Sequence, residues 1–313
     1  MDKINKYQTV IIILAVIIGL LFGHFDLVAQ YSSNLIVPLL MTMLFGLFLS
    51  LDLKKLRSSF LNLKFSVSNI IINFIWTPIF AYILGSIFLS QELALWIGFV
   101  MLMVTPCTDW YLVFTGVAKG NVSLSTAILP VNLILQVVLL PIYLMIFFGE
   151  TGNIELASIV KSILLVLVVP FVLALLAKKV ILYKNNSLTG SIHFFTKSQV
   201  IFLALAVVAM FASEGKNLTD NPNIIYILLI PFLVFFTVTF VLAQLVSRIL
   251  TFNYEDKVSL TMTTMARNSP ISLAIAVAAF PEQPLIALSL IIGPLIELPV
   301  LVIAAQLLLK RKK

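Results

Sequence analysis

The single cysteine of this 313-residue chain, Cys107, directly follows Pro106 and stands two positions before Asp109. All three lie in VTPCTDWYLVFTGVAKGN, residues 104–121, within long apolar sequence. A proline removes one helical hydrogen bond, and an ionisable side chain in hydrocarbon costs several kcal/mol. Irregular backbone at membrane depth persists only where protein buries it or where it lines a cavity. The stretch is therefore expected to be a broken membrane helix whose break is a binding site. The simpler alternative is a proline kink carrying a satisfied polar cluster. Cys107 by itself is either a small core hydrophobe or a soft thiolate ligand.

A second constellation, Arg267, Asn268 and Ser269 before Pro270, repeats the pattern of polar residues beside a proline. A guanidinium does not deprotonate in proteins and needs a partner at depth, for which Asp109 is the candidate. Asn132 and Gln136 are four apart and share a helix face, as interhelical glue or as substrate contacts. Glu297, in GPLIELP, follows Gly293-Pro294 by about one turn. Its carboxyl is either paired with Arg267 or held neutral by burial, and only the neutral form makes a good proton carrier.

These residues recur at a fixed separation. Positions 105 and 266 are 161 residues apart, and so are Gln136 and Glu297. In each half an interrupted apolar helix leads through a loop to another apolar helix. Five helices per half is an odd number, so the second half must enter the membrane upside down. Inverted repeats with discontinuous helices in matching positions are a sequence pointer to a secondary transporter's site. The repeats run roughly from 1 to 150 and from 151 to 313, within one polytopic domain and with no separate soluble domain.

The elements that must position these residues are membrane helices. The chain is 61% hydrophobic and 11% charged, with a mean hydropathy of +1.13. Spans of about 20 residues fall near 7–23, 34–50, 65–88, 93–117, 121–148, 156–177, 197–213, 223–247, 258–280 and 284–308. Of the 20 lysines and arginines, all but Lys161, Lys216 and Arg267 fall on one side of that arrangement. The positive-inside rule then puts both termini in the cytoplasm of a multi-pass cell-membrane protein. The net charge of +7 marks topology rather than nucleic-acid binding. The N-terminal apolar run reads as an uncleaved first helix, and LDLKKLRSSFLN at 51–62 as an interfacial amphipathic piece. His24 and His193 fall near helix ends.

One cysteine excludes an intramolecular disulfide and a multi-thiolate metal cage within the chain. No span interior holds a histidine or paired acids, which argues against an intramembrane enzyme. No ATP-binding motif is present, so an ion gradient or the substrate's own gradient must drive the cycle. No cofactor is expected.

TPCTDWYLVFTGVAKGNVSLSTAILPVNLILQ and TTMARNSPISLAIAVA with IIGPLIELPVLV resemble the bile acid:sodium symporter superfamily, and within it the arsenical-resistance permeases. The resemblance covers essentially the whole chain. It implies an all-α fold of ten transmembrane helices, a five-plus-five inverted repeat whose broken helices four and nine cross at mid-membrane. It also implies that Cys107 and Glu297 are the functional pair of an arsenite exporter, with Cys107 the arsenic(III) ligand. The sodium-coupled branch resembles E-x-G-x-Q-N-S on helix nine. Here Thr263 stands at the glutamate, Arg267 at the glutamine, and Tyr111-Leu112 replaces a Ser-Asn pair on helix four. Sodium coupling is therefore expected to be lost. The expected function is arsenite efflux in exchange for protons, with transport of a small organic anion as the alternative. Arsenite needs Cys107; an organic anion needs Arg267.

Overall fold

The structure, a computed structural model, describes residues 8–50, 62–108, 110–149, 156–183, 194, 198, 201–213 and 223–310. Asp109, His193 and residues 51–61 of the expected interfacial segment lie outside the described residues.

Among the described residues every regular element is a helix. The helices are α1 (Gln8–Phe22), α2 (Asp26–Ser50), α3 (Leu63–Phe88), α4 (Leu93–Met103), α5 (Trp110–Val117) and α6 (Val122–Phe148). The chain continues with α7 (156–183), α8 (Ile201–Ser213), α9 (Asn223–Ile249), α10 (Tyr254–Met265), α11 (Ser269–Ala279) and α12 (Pro284–Lys310). Helices α2, α3, α6, α7, α9 and α12 are long and apolar enough to cross a bilayer, and α1, α4, α8 and α11 are shorter apolar helices. The expected fourth and ninth spans are each split, at 104–108 and 266–268 among the described residues. The succession α3 to α6 recurs as α9 to α12, long, short, short, long, and α6 and α12 both have 27 residues.

Helix α3 shows which solvent the chain is built for. Val67, Ile71, Ile75, Ile79, Ile83 and Ile87 line its exposed face, while Ser66, Asn69, Asn73 and Thr77 are buried. A soluble helix has the reverse polarity. Exposed apolar stripes on helices of this length mark a multi-pass membrane protein.

Prolines sit inside several helices, and side chains take up some of the carbonyls they orphan. Pro78 has no N–H for the Phe74 carbonyl, and the Tyr143 hydroxyl donates to it at 2.7 Å. One π-helical turn, Ile72–Trp76, precedes this proline, and Leu164–Val168 precedes Pro170 in the same way. The wider turn makes room for the ring that would clash with the carbonyl four residues back. Pro294 leaves the Leu290 carbonyl without its helical donor, and the Ser269 hydroxyl replaces it. Helix α12 runs unbroken through Pro294 and Pro299.

The chain clusters into two compact units, and neither is a contiguous half. One takes in Met1–Leu51, Leu156–Ile224 and Leu273–Ala287; the other Asp52–Glu155, Ile225–Ser272 and Leu288–Lys313. In the first, Gly19 and Gly23 bring α1 close to α8. A Cβ on Gly19 would lie 2.6 Å from Phe211 Cβ, the close approach that a Gly-x-x-x-Gly spacing permits. Phe48 of α2 meets Phe171 of α7 edge to face.

The second unit contains every described candidate residue named above. Asparagines cap three of its helices: Asn62, Asn121 and Asn253 accept from the backbone N–H groups of Phe65, Leu124 and Asp256. The same three asparagines donate their amide hydrogens to the Asp256 carboxylate, at 3.4, 3.0 and 3.4 Å. One half-buried acid thus gathers the starts of α3, α6 and α10.

Candidate functional site

The breaks after α4 and α10 lie against each other and exchange two backbone hydrogen bonds. Cys107 N–H donates to the Ala266 carbonyl at 2.9 Å, and Asn268 N–H to the Thr105 carbonyl at 2.7 Å, around a bridge between Pro106 and Arg267. The two bonds are related to each other by the separation of 161 seen in the sequence. Pro106 pairs with Arg267 itself, and exchanging 105 for 266 and 107 for 268 turns one bond into the other. The prolines open the helices, and the freed backbone groups satisfy one another instead of water.

Side chains close the crossing. Thr105 Oγ1 lies against Ser272 Oγ and reaches the Met101 carbonyl at 3.0 Å, which also accepts from Ser272 Oγ at 3.1 Å. Asn268 caps α11, accepting from Ile271 N–H at 3.2 Å, and its amide donates to Thr108 Oγ1 at 3.4 Å. The Cys107 thiol is buried and accepts from Trp110 N–H at 3.3 Å, at the start of α5. Ser269 is taken up by α12, as described above.

Glu297 and Arg267 do meet. The contact runs from the Arg267 backbone N–H to Glu297 Oε1 at 2.9 Å. The guanidinium turns elsewhere, to the Met103, Met265 and Thr264 carbonyls and to Asn73 Oδ1. Both residues are 1% exposed. Asp109, expected opposite Arg267, lies outside the described residues.

Asn132 and Gln136 are fully buried on α6, and among the described residues none of their four amide atoms has a hydrogen-bond partner. The 161-residue spacing offers a comparison for one of the two residues. Gln136 is the counterpart of Glu297, and Pro106 is the counterpart of the Arg267 whose N–H Glu297 receives. A proline has no N–H to give, so position 106 cannot make the bond that Arg267 makes. Buried amides cost about 1–3 kcal/mol each when unpaired.

Sequence reasoning missed the polar face of α3. Asn69 donates to Thr263 Oγ1 at 2.9 Å, and Asn73 donates to the Thr263 carbonyl at 3.2 Å while accepting from Arg267. Thr77 on the same face has no partner for its buried hydroxyl among the described residues. The signal was present: Ser66, Asn69, Asn73 and Thr77 recur at three- and four-residue steps through an apolar span.

The description "Sodium Bile acid symporter family" belongs to the family model that matches residues 37–221. An uncharacterized transporter of Synechocystis is 22% identical over 98% of this chain and 88% of its own length. The arsenical-resistance protein Acr3 of Corynebacterium glutamicum is 23% identical over 75% of this chain and 67% of its own. An uncharacterized sodium-dependent transporter of Bacillus subtilis is 23% identical over 85% and 80%. Together with the apolar helices and their crossed breaks, the match over more than half its length places this chain in the Sodium Bile acid symporter family of membrane transporters.

Proposed function

We propose that this transporter exports arsenite in exchange for protons. The observation that carries the reading is the bonding of Cys107 and Glu297 to one peptide group, 266–267, at the crossing of the two breaks. Trivalent arsenic at neutral pH is mostly an uncharged trihydroxide. The Cys107 thiol attacks it to form one S–As bond, and the thiol proton leaves with a hydroxide as water. A single bond suits a carrier that must release its cargo. Release reverses the step, water returning a proton to sulfur and a hydroxide to arsenic. Glu297 alternates between protonated and ionised forms as the carrier changes state. Asn132 and Gln136 offer donors and acceptors to the arsenic hydroxyls, and Asn268 and Ser269 shape the break.

In this reading the chain is a five-plus-five inverted repeat of ten spans. The exchange of equivalent bonds at the crossing supports that arrangement. Both termini face the cytoplasm, as the basic loops suggest. The organic-anion alternative needs a guanidinium available to a carboxylate, whereas that of Arg267 is engaged by oxygens of the chain.

The test is arsenite accumulation in arsenite-sensitive cells expressing the protein, with and without a proton uncoupler. Lower accumulation that the uncoupler reverses supports the proposal. Accumulation equal to that of cells lacking the protein overturns it. Low accumulation that an uncoupler leaves unchanged overturns the proton coupling alone.

A further inference from the structure

The guanidinium of Arg267 sits on the carbonyl ends of two half-helices at once. Nη1 donates to the Met103 carbonyl at 2.7 Å and Nε to the Met265 carbonyl at 3.1 Å. Nη2 donates to the Thr264 carbonyl and, at 3.2 Å, to Asn73 Oδ1. Met103 is the last residue of α4 and Met265 the last of α10. The last carbonyls of a helix lack helical donors and carry partial negative charge, so each end favours a cation. Phe235 adds the face of its ring 5.2 Å from the guanidinium carbon. Met103 and Thr264 are themselves 161 residues apart, so one cation bonds two carbonyls that the internal repeat makes equivalent.

Three carbonyls and a carboxamide oxygen, converging in a fully buried space, form the kind of donor set that holds a small monovalent cation. In transporters with broken helices, unwound carbonyls and half-helix C-termini coordinate the coupling ion. We propose that the Arg267 guanidinium is a resident cation, tethered where a soluble monovalent cation would otherwise have to bind, so that the crossing closes without an alkali ion. A charge fixed to the backbone cannot cross the membrane alone or dissociate on one side. It therefore holds α4 and α10 together in every state of the cycle, and it draws no energy from a sodium or potassium gradient. Removing the side chain would leave the oxygens facing one another unpaired, and the vacated place would accept free guanidinium or an alkali cation.

Thermal unfolding of the purified protein in detergent tests this without any substrate. The wild type, Arg267→Ala and Arg267→Gln are compared in choline chloride and with choline replaced, at constant ionic strength, by guanidinium, sodium or potassium at millimolar levels. The wild-type midpoint is expected to be the same in all four media. The neutral variants should unfold on the order of ten degrees lower in choline. Guanidinium or an alkali cation should recover most of that loss, which a merely structural role for the side chain would not produce. Specific stabilisation of the wild type by sodium or potassium would overturn the proposal. So would neutral variants with no loss, or with a loss that no cation recovers. If neither variant accumulates, the wild-type series decides: indifference to the cation supports the proposal, and a sodium- or potassium-specific shift refutes it. A chain that moved no arsenite would give the same curves, so this result stands apart from the substrate assignment.

Discussion

Cys107 and Glu297 hold opposite ends of one peptide group. The Ala266 carbonyl accepts from Cys107 N–H at 2.9 Å, and the N–H of the same peptide, on Arg267, donates to Glu297 Oε1 at 2.9 Å. The unit between them is planar and stiff. An ionised carboxylate accepts roughly twice as strongly as a neutral one. Protonation of Glu297 is therefore expected to loosen the peptide on one side and the cysteine-bearing break on the other. The connection requires no contact between the two side chains.

Cys107→Ser should abolish arsenite transport while leaving expression near normal, because it removes a soft ligand and little volume. The measurement is arsenite resistance alongside protein level in membranes. Full resistance in the serine variant would show that transport does not pass through a thiolate.

Glu297→Gln keeps an oxygen for the Arg267 N–H and cannot titrate. In reconstituted vesicles it should stop net uphill efflux driven by a proton gradient and preserve exchange of arsenite for arsenite. If Glu297 were only a structural acceptor, both modes would survive. Persistent uphill efflux would remove it from the coupling step.

Asn132→Leu and Gln136→Leu replace buried amides, unpartnered among the described residues, by apolar groups of similar size. Such changes are close to neutral or stabilising when no partner is stranded. Thermal midpoints should hold or rise, while arsenite efflux falls on the order of tenfold, the loss of about one substrate hydrogen bond. Unchanged efflux from both variants would mean that α6 does not touch the cargo.

Asp256→Ala removes the carboxylate shared by the caps of α3, α6 and α10. The expected cost is on the order of 2 kcal/mol, seen as a lower unfolding midpoint rather than as altered specificity. A midpoint equal to that of the wild type would show that the three asparagines do not depend on it.

Gly293 lets α12 approach α4 so closely that an added Cβ would overlap Leu102 Cδ2. Gly293→Ala should cost about 1–3 kcal/mol by overpacking. Leu102→Ala in the same chain should recover part of that loss, although it is destabilising in an otherwise wild-type background. Additive losses in the double-mutant cycle would place the two residues out of contact.

Hydropathy and local chemistry settle much of this protein before any fold is known. Twenty-residue apolar runs can only be helices in hydrocarbon, where every backbone group must be satisfied within its own segment. Prolines beside Cys107 and Arg267 announce the two breaks, because a missing N–H and a ring clash act over one turn and are legible locally. The 161-residue separation is likewise visible in the chain, and the Pro106–Arg267 bridge at the crossing falls on it. The bonding between elements is another matter. Nothing local to Arg267 says that its guanidinium will leave Glu297 to the backbone and turn to carbonyls of α4 and α10, since those oxygens come free only when both helices end together. Nor does the sequence around Gln136 say that its buried amide has no hydrogen-bond partner among the described residues; only the packing around α6 decides that. Convergence of Asn62, Asn121 and Asn253 on Asp256 joins positions up to 194 residues apart, and only packing brings them together.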